Sequence, residues 1–160
     1  MSMGLLLEVV QNHLRTALGL AADQCRIAHE PPTAAGPLFL SVAGGGVRSE
    51  ARSVLRETYE LEVGVWRRAG EYPADRRGGL LAPIDPHVAG LRTLDALERQ
   101  VIAALHGNFE DIPAAANAQL EPESEAVFQL ALYYAGRGPT ETDSGWLVRH
   151  LNFSGCTRVA

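Results

Sequence analysis

Apolar and polar residues alternate with a period of two across Glu57–Arg68, ETYELEVGVWRR. Tyr59, Leu61, Val63 and Val65 form one row. Thr58, Glu60, Glu62 and Gly64 form the other, which Trp66 breaks. This period predicts a strand with one face on a core and one face outside. The loose alternation of Ser53, Leu55 and Glu57 lets the strand begin as early as Arg52. A different period governs residues 3–18. Leu6, Val9, Val10, His13, Leu14 and Ala17 recur at three- and four-residue spacings, which predicts an amphipathic helix, and Gly19 supplies a stop. His13 reads as a boundary residue, because no second ligand lies around it at metal-binding spacing. Cys25–His29 and Leu38–Val42 are short strand candidates, the first ended by Pro31 and Pro32.

The glycine run in AGGGVRSE lacks the GK[ST] ending of a phosphate loop and reads as a hairpin or flexible loop. Ala69–Asp85 holds two prolines and three glycines and predicts a long connection without regular structure. From His87 to His106, Val88, Leu91, Leu94, Leu97, Val101, Ile102 and Leu105 form the clearest helical stripe. Asp85 or Thr93 is the expected start cap, with Pro86 favourable in the first turn. His106 is expected to favour the helix dipole at the end, and Gly107 and Asn108 to form a left-handed cap. Phe109–Glu125 reads as a mixed linker, with one helical turn in AAANA. Ala126–Tyr134 and Trp146–Phe153 predict two antiparallel strands around the Gly/Pro-rich loop Ala135–Gly145. On the last strand Leu147, Arg149, Leu151 and Phe153 share one face; Trp146, Val148 and His150 share the other. The final residues extend this strand or fray.

The segregated order α-β-β-β-α-β-β predicts a single α+β domain over residues 1–160. Its expected form is a mostly antiparallel sheet of about five strands with two helices on one face. The length of 160 residues suffices for a real core, and 46% apolar content is ordinary for a globular chain. A net charge of −5 argues against a polyanion as the main partner, although a local basic patch is compatible with it. All 14 basic residues are Arg. A GC-rich genome accounts for that, and guanidinium groups also suit bidentate pairing at interfaces. Cys25 and Cys156 are far apart in sequence and lack a CxxC context; they read as small buried thiols, with a disulfide between them allowed but not demanded. The N-terminal MSMGLLLEVV lacks a basic leader, and Glu8 cuts its apolar run. No run of about 18 apolar residues suggests a membrane span, so a cytoplasmic protein is expected.

No catalytic motif emerges: there is no G-x-S-x-G and no signature around either cysteine. Glu60 and Glu62 share a strand face, where two carboxylates most simply serve solvation. Glu141 and Asp143 lack calcium-loop spacing. No metal or cofactor is expected. Arg67, Arg68, Arg76 and Arg77, near Trp66 and Tyr72, make a small basic and aromatic patch that a nucleic-acid accessory role would use.

The order of elements resembles the tail terminator (tail completion) proteins of tailed phages, with head–tail joining and neck proteins as near neighbours. The stretches that carry the resemblance are ETYELEVGVWRR with the loop through ADRRGG, then LRTLDALERQVIAALHGN, then AVFQLALYYAGRGPTETDSGWLVRHLNF. The resemblance covers most of the chain as a pattern. It implies a non-enzymatic virion protein, made in the host cytoplasm, that forms a ring, commonly a homohexamer. Such a ring caps the tail tube, meets the neck or head-completion protein, and passes DNA through its lumen without sequence-specific binding. It further implies subunit, tube or neck contacts from Arg67, Arg68, Glu71, Asp75, Arg76, Arg77, Arg137, Glu141 and Asp143. Glu60, Glu62 and Trp66 would lie on a lumen or outer sheet face; the TETD segment is the other candidate for the lumen. The alternative is a small α+β ligand-binding domain or enzyme with a pocket between sheet and loops.

Overall fold

The computed structural model describes residues 2–32, 36–51, 55–69, 75–77, 80–82, 86–120 and 127–159. The elements run α1 (Met3–Leu18), β1 (Cys25–Ile27), β2 (Leu38–Ala51), β3 (Leu55–Arg68), β4 (Asp75–Arg77), β5 (Leu80–Ala82), α2 (Pro86–Leu105), α3 (Asp111–Ala118), β6 (Val127–Arg137), β7 (Glu141–Asp143) and β8 (Trp146–Val159). The main sheet has six strands in the order β1-β2-β3-β8-β6, with β7 also pairing β8. Every pair in it is antiparallel except β1 with β2. The fold class is therefore α+β, as expected, with three helices rather than two and six strands rather than five.

Helix α1 forms where the stripe predicts it. The Ser2 hydroxyl accepts from Leu5 N at 3.2 Å, and Gly19 ends the helix in the left-handed region at φ 64°. Leu6, Val9, Val10 and Leu14 are buried against the sheet side of the core. Arg15 in the last turn donates from Nε and Nη2 to the Cys25 carbonyl, at 3.1 and 2.7 Å, and so fixes where β1 begins. β1 itself is shorter than expected, and Ile27 is exposed on it rather than facing inward with Cys25.

Strand β3 is paired along its length on both sides, by β2 and by β8. Its predicted inner row is buried: Tyr59, Leu61, Val63 and Val65 are all at most 2% exposed. They meet Leu40 and Val42 from β2, Leu151 and Phe153 from β8, and the apolar stripes of all three helices in one core. Burying each such side chain stabilises the fold by about 1.5–3 kcal/mol.

Several sequence expectations are resolved or changed. The glycine run is not a loop: β2 continues through it to Ala51, with a register shift between Gly44 and Gly46 that leaves Gly45 outside the ladder. Such a bulge explains why glycines stand in a strand. The long connection after β3 contains a small two-stranded sheet, Asp75–Ala82, Arg76–Leu81 and Arg77–Leu80. Of the two outcomes expected for the last residues, extension is the one found: β8 runs to Val159, six residues past Phe153. The AAANA turn is part of an eight-residue helix, α3. The cause is Asn108, whose Oδ1 accepts from Asp111 N at 2.9 Å and Glu110 N at 3.2 Å. Asn108 thus opens α3 instead of closing α2. Gly107 takes the left-handed conformation expected of the cap, at φ 66°, and its N donates to Leu132 O at 2.9 Å, while His106 Nδ1 accepts from Tyr134 N at 3.0 Å. His106 thus takes a backbone donor of β6 at the helix end, a partner the helical pattern does not reveal.

On the opposite face of the sheet, Trp66 folds across its own strand. Its indole N–H donates to Ser41 Oγ at 2.9 Å, over Gly64. A Cβ on Gly64 would lie 2.3 Å from Ser41 Oγ and 2.6 Å from the indole nitrogen. Gly64→Ala is expected to lose about 1–3 kcal/mol of stability through overpacking. Urea unfolding measures it, and Ser41→Ala in the same chain is expected to restore part of the loss; an unchanged midpoint for the single variant would refute the packing account.

Candidate assembly surface

The inner sheet face carries a charged cluster whose centre, Arg149 and Glu98, is buried and whose other members, Asp95 and Arg137, are half-exposed. Arg149 follows the apolar row of β8 and is 5% exposed. Its Nη1 donates to Asp95 Oδ1 at 2.6 Å and Glu98 Oε2 at 2.7 Å, both on α2. Its Nε and Nη2 donate to Thr140 Oγ1 at 3.1 and 3.0 Å, in the connection between β6 and β7. Glu98 also accepts from Arg137 Nη1 at 2.6 Å and from the Tyr134 hydroxyl at 3.2 Å. Two guanidiniums therefore face two carboxylates, and the cluster is neutral as a whole. Burial works against the charged Arg149 guanidinium, but the hydrogen bonds and charges of Asp95 and Glu98 outweigh it and hold its pKa above the ordinary value. Burial, then the charge and hydrogen bond of Glu98, raise the Tyr134 phenol. The cluster fastens α2 to β6 and β8 and fixes the approach to β7.

The outer sheet face divides into two parts. At one end Phe39, Trp66, Trp146 and Val148 form a second buried apolar cluster. Trp66 thus lies on the outer side, but at 2% exposure it is a packing residue and presents no free surface. Farther along the strands the face turns polar. Glu60 and Glu62 are half-buried there, next to Asn152 and Ser154 of β8. Arg48 Nη2 reaches Glu60 Oε1 at 2.8 Å, and His150 Nδ1 lies 2.8 Å from Glu62 Oε1. The latter contact is close but not aligned as a hydrogen bond. A groove of about 340 Å³ opens on this part, lined by Ala43, Gly45, Glu60, Glu62, Asn152 and Ser154 among others.

The structure brings several sequence-predicted residues together at the end of β3. Arg68 pairs across the ladder with Trp146 and lays its guanidinium over that ring, 4.7 Å from the centroid. The neighbouring turn of β7–β8 is tight: Ser144 has φ 49° and Gly145 φ 82°, the signs of a primed two-residue hairpin turn. Ala69 N donates to Gly145 O at 2.8 Å and ties the start of the long connection to that turn. Glu141 and Asp143 are exposed on β7. Arg67 is 6% exposed, on the inner row. Arg137 does not join this end; it is engaged within the chain by Glu98. Asp75, Arg76 and Arg77 form β4, while Glu71 lies outside the described residues.

Asp95, Glu98 and Tyr134 were not singled out by sequence, Arg149 was placed on the inner face without a partner, and Thr140 entered only as part of TETD. A signal existed: Arg149 interrupts the apolar row Leu147, Leu151 and Phe153, and a charge on a core face demands a partner. Glu98 stands on the stripe of Leu94, Val101 and Leu105 at helical spacing. His13 is structural, its Nε2 lying 3.0 Å from Ala104 O at the end of α2. Both cysteines are free thiols; Cys25 is buried as expected, whereas Cys156 is exposed. Among the described residues no group of three or more His, Cys, Asp or Glu is placed to hold a metal, and no helix is long and apolar enough to cross a membrane.

Two expectations follow from these groups. Arg149→Met leaves the Glu98 carboxylate buried with only Arg137 and Tyr134, and is expected to cost about 3–5 kcal/mol. Chemical denaturation checks it, and Arg137→Met, at a half-exposed position, is expected to cost clearly less. The second concerns Cys25, whose thiol burial pushes up to about 11 from 9.0, with Arg15 opposing. The folded state then holds this proton more tightly than the unfolded state. Its contribution is present below pH 9 and lost as pH rises toward about 11. Cys25→Ala is expected to flatten the stability profile in that window; an identical slope in both proteins would contradict it.

No family profile matches the chain, and no curated protein matches it. Among solved structures, a chain from the virion of a native gene transfer agent particle aligns with a TM-score of 0.47 and 14% identity, over 94% of this chain and 90% of that one.

Proposed function

We propose that the protein is a structural component of a tailed-phage virion, of the tail terminator type. In this reading it forms a ring, commonly of six copies in such proteins, that caps the tail tube and joins it to the neck. The observation that carries the reading is the arrangement around β3. All three helices contribute to the core on one sheet face, and the polar part of the other face is left for contacts outside the domain. The connections that leave β3 and enter β8 meet at one sheet end, where Arg68, Glu141 and Asp143 gather mixed charge. Such charge suits salt-bridged contacts between subunits or with the tube and neck. The order of elements that prompted the family resemblance supports the same reading, with a third helix added between α2 and β6. The lumen takes an acidic or neutral lining, from Glu60 and Glu62 or from the Thr140–Asp143 tip, so that DNA passes without being held. No catalytic step is assigned.

Native mass spectrometry of the purified protein, with and without isolated tail tubes, tests the reading. A closed ring of defined subunit number, or ring density added to the tube end in electron micrographs, is expected. A strict monomer at high concentration that leaves tube ends bare would sink it.

A further inference from the structure

The groove of about 340 Å³ on the outer sheet face has a floor made largely of main chain. Gly44 and Gly45 line it without side chains. Leu61 and Phe153 also line it, yet both side chains are buried in the core, so each presents backbone to the groove. Glu60, Glu62, Asn152 and Ser154 supply polar walls. Two of the three glycines at this place in β2 are accounted for within the chain. A Cβ on Gly44 would lie 2.9 Å from Met3 Cγ, and one on Gly45 would lie 3.2 Å from Glu60 O. Gly46 is different. It pairs with Glu60 across the ladder, which places it on the same outer face. Its φ is outside the left-handed region, and among the described residues nothing lies within 4 Å of a Cβ built on it. Neither backbone conformation nor internal packing asks for a glycine there, although glycine weakens a strand. A glycine so placed leaves room for another backbone to come close.

We propose that this groove docks an extended segment of a different protein, one that carries a basic side chain to meet Glu60 and Glu62. The volume holds a few residues of extended chain and not a helix, which is roughly 10–12 Å across with its side chains. Charge selects the occupant. Glu60 is engaged by Arg48 in a pair whose side chains are 46% and 77% exposed, and exposed pairs of this kind contribute little. A partner cation therefore displaces Arg48 at small cost. Glu62 has His150 Nδ1 at 2.8 Å, without an aligned hydrogen bond. The whole chain carries a net charge of −5, so a second copy is repelled and a basic segment of another sequence is attracted. Asn152 and Ser154 offer hydrogen-bonding groups to the incoming main chain. The inference concerns a partner of other sequence and stands whether or not the chain closes into a ring.

The test is an NMR titration of the full-length, nitrogen-15-labelled protein with two end-blocked pentapeptides, Ser-Arg-Ser-Arg-Ser and Ser-Gln-Ser-Gln-Ser. The arginine peptide is expected to give saturable amide shifts at Gly45, Gly46, Asn152 and Ser154, and to bind about tenfold more tightly than the glutamine peptide. The double variant Glu60→Gln with Glu62→Gln is expected to lose that preference. Gly46→Leu is expected to weaken both peptides, because its side chain fills the space left for a backbone. Each variant is first checked for an unchanged urea midpoint. If either fails to fold, the comparison of the two peptides on the wild-type chain decides alone. Equal binding of the two peptides overturns the proposal, as do shifts that fall outside the groove or do not saturate at millimolar peptide. Concentration-dependent shifts of the same amides in the protein alone also overturn it, because the occupant is then a second copy. The ring is read separately, by native mass spectrometry, so either result can fail without the other.

Discussion

Strand β3 is satisfied on both edges and used on both faces, and the remaining structure is arranged to meet those four demands. Its backbone groups are taken by β2 on one side and β8 on the other, over nearly its whole length. Its inner row needs apolar cover, which the three helices supply. Its outer row is apolar only at the Trp66 end, where Gly64 gives up its side chain so that the indole can reach Ser41. A one-residue slip of this strand would move four large apolar side chains into the polar groove and the glutamates into the core. Register is therefore fixed by burial, and it sets where every other element can lie.

That constraint explains which parts of the fold were legible. α1 and the inner row of β3 were readable because each is a simple period with one buried side. α2 was readable for the same reason, and its His106 end was not. The pattern offers a cation at a helix terminus, while the fold places a β6 backbone N–H against the ring. The glycine run misled because local propensity favours a turn, yet pairing with β3 holds those residues in a bulged strand. α3 was hidden because its cap, Asn108, lies within reach of two different helix ends. The candidate surface was legible in part. Arg68, Glu141 and Asp143 gather at one end as a consequence of strand register, which a single sequence does not reveal. Trp66 lies on the outer sheet face, as expected, but is packed there and not open for contact.

The cluster around Arg149 shows how much chemistry a short polar interruption can organise. An arginine on a core row is tolerable only with carboxylates that are themselves satisfied. Glu98 and Asp95 meet that demand from α2, and Arg137 and Tyr134 complete the hydrogen bonding of Glu98 from β6. The same guanidinium reaches Thr140, so the geometry of the core is transmitted to the connection that leads into β7. An exposed tip carried on a three-residue strand would otherwise have little to position it.

The edges of the sheet bear on how such a domain avoids and permits association. The middle of β6 is sealed: Leu132 O and Tyr134 N are occupied by Gly107 and His106. β1 covers β2 only across Leu40–Val42. Covering those backbone groups blunts edge pairing, which is tolerant of register, and leaves recognition on this domain to its side chains.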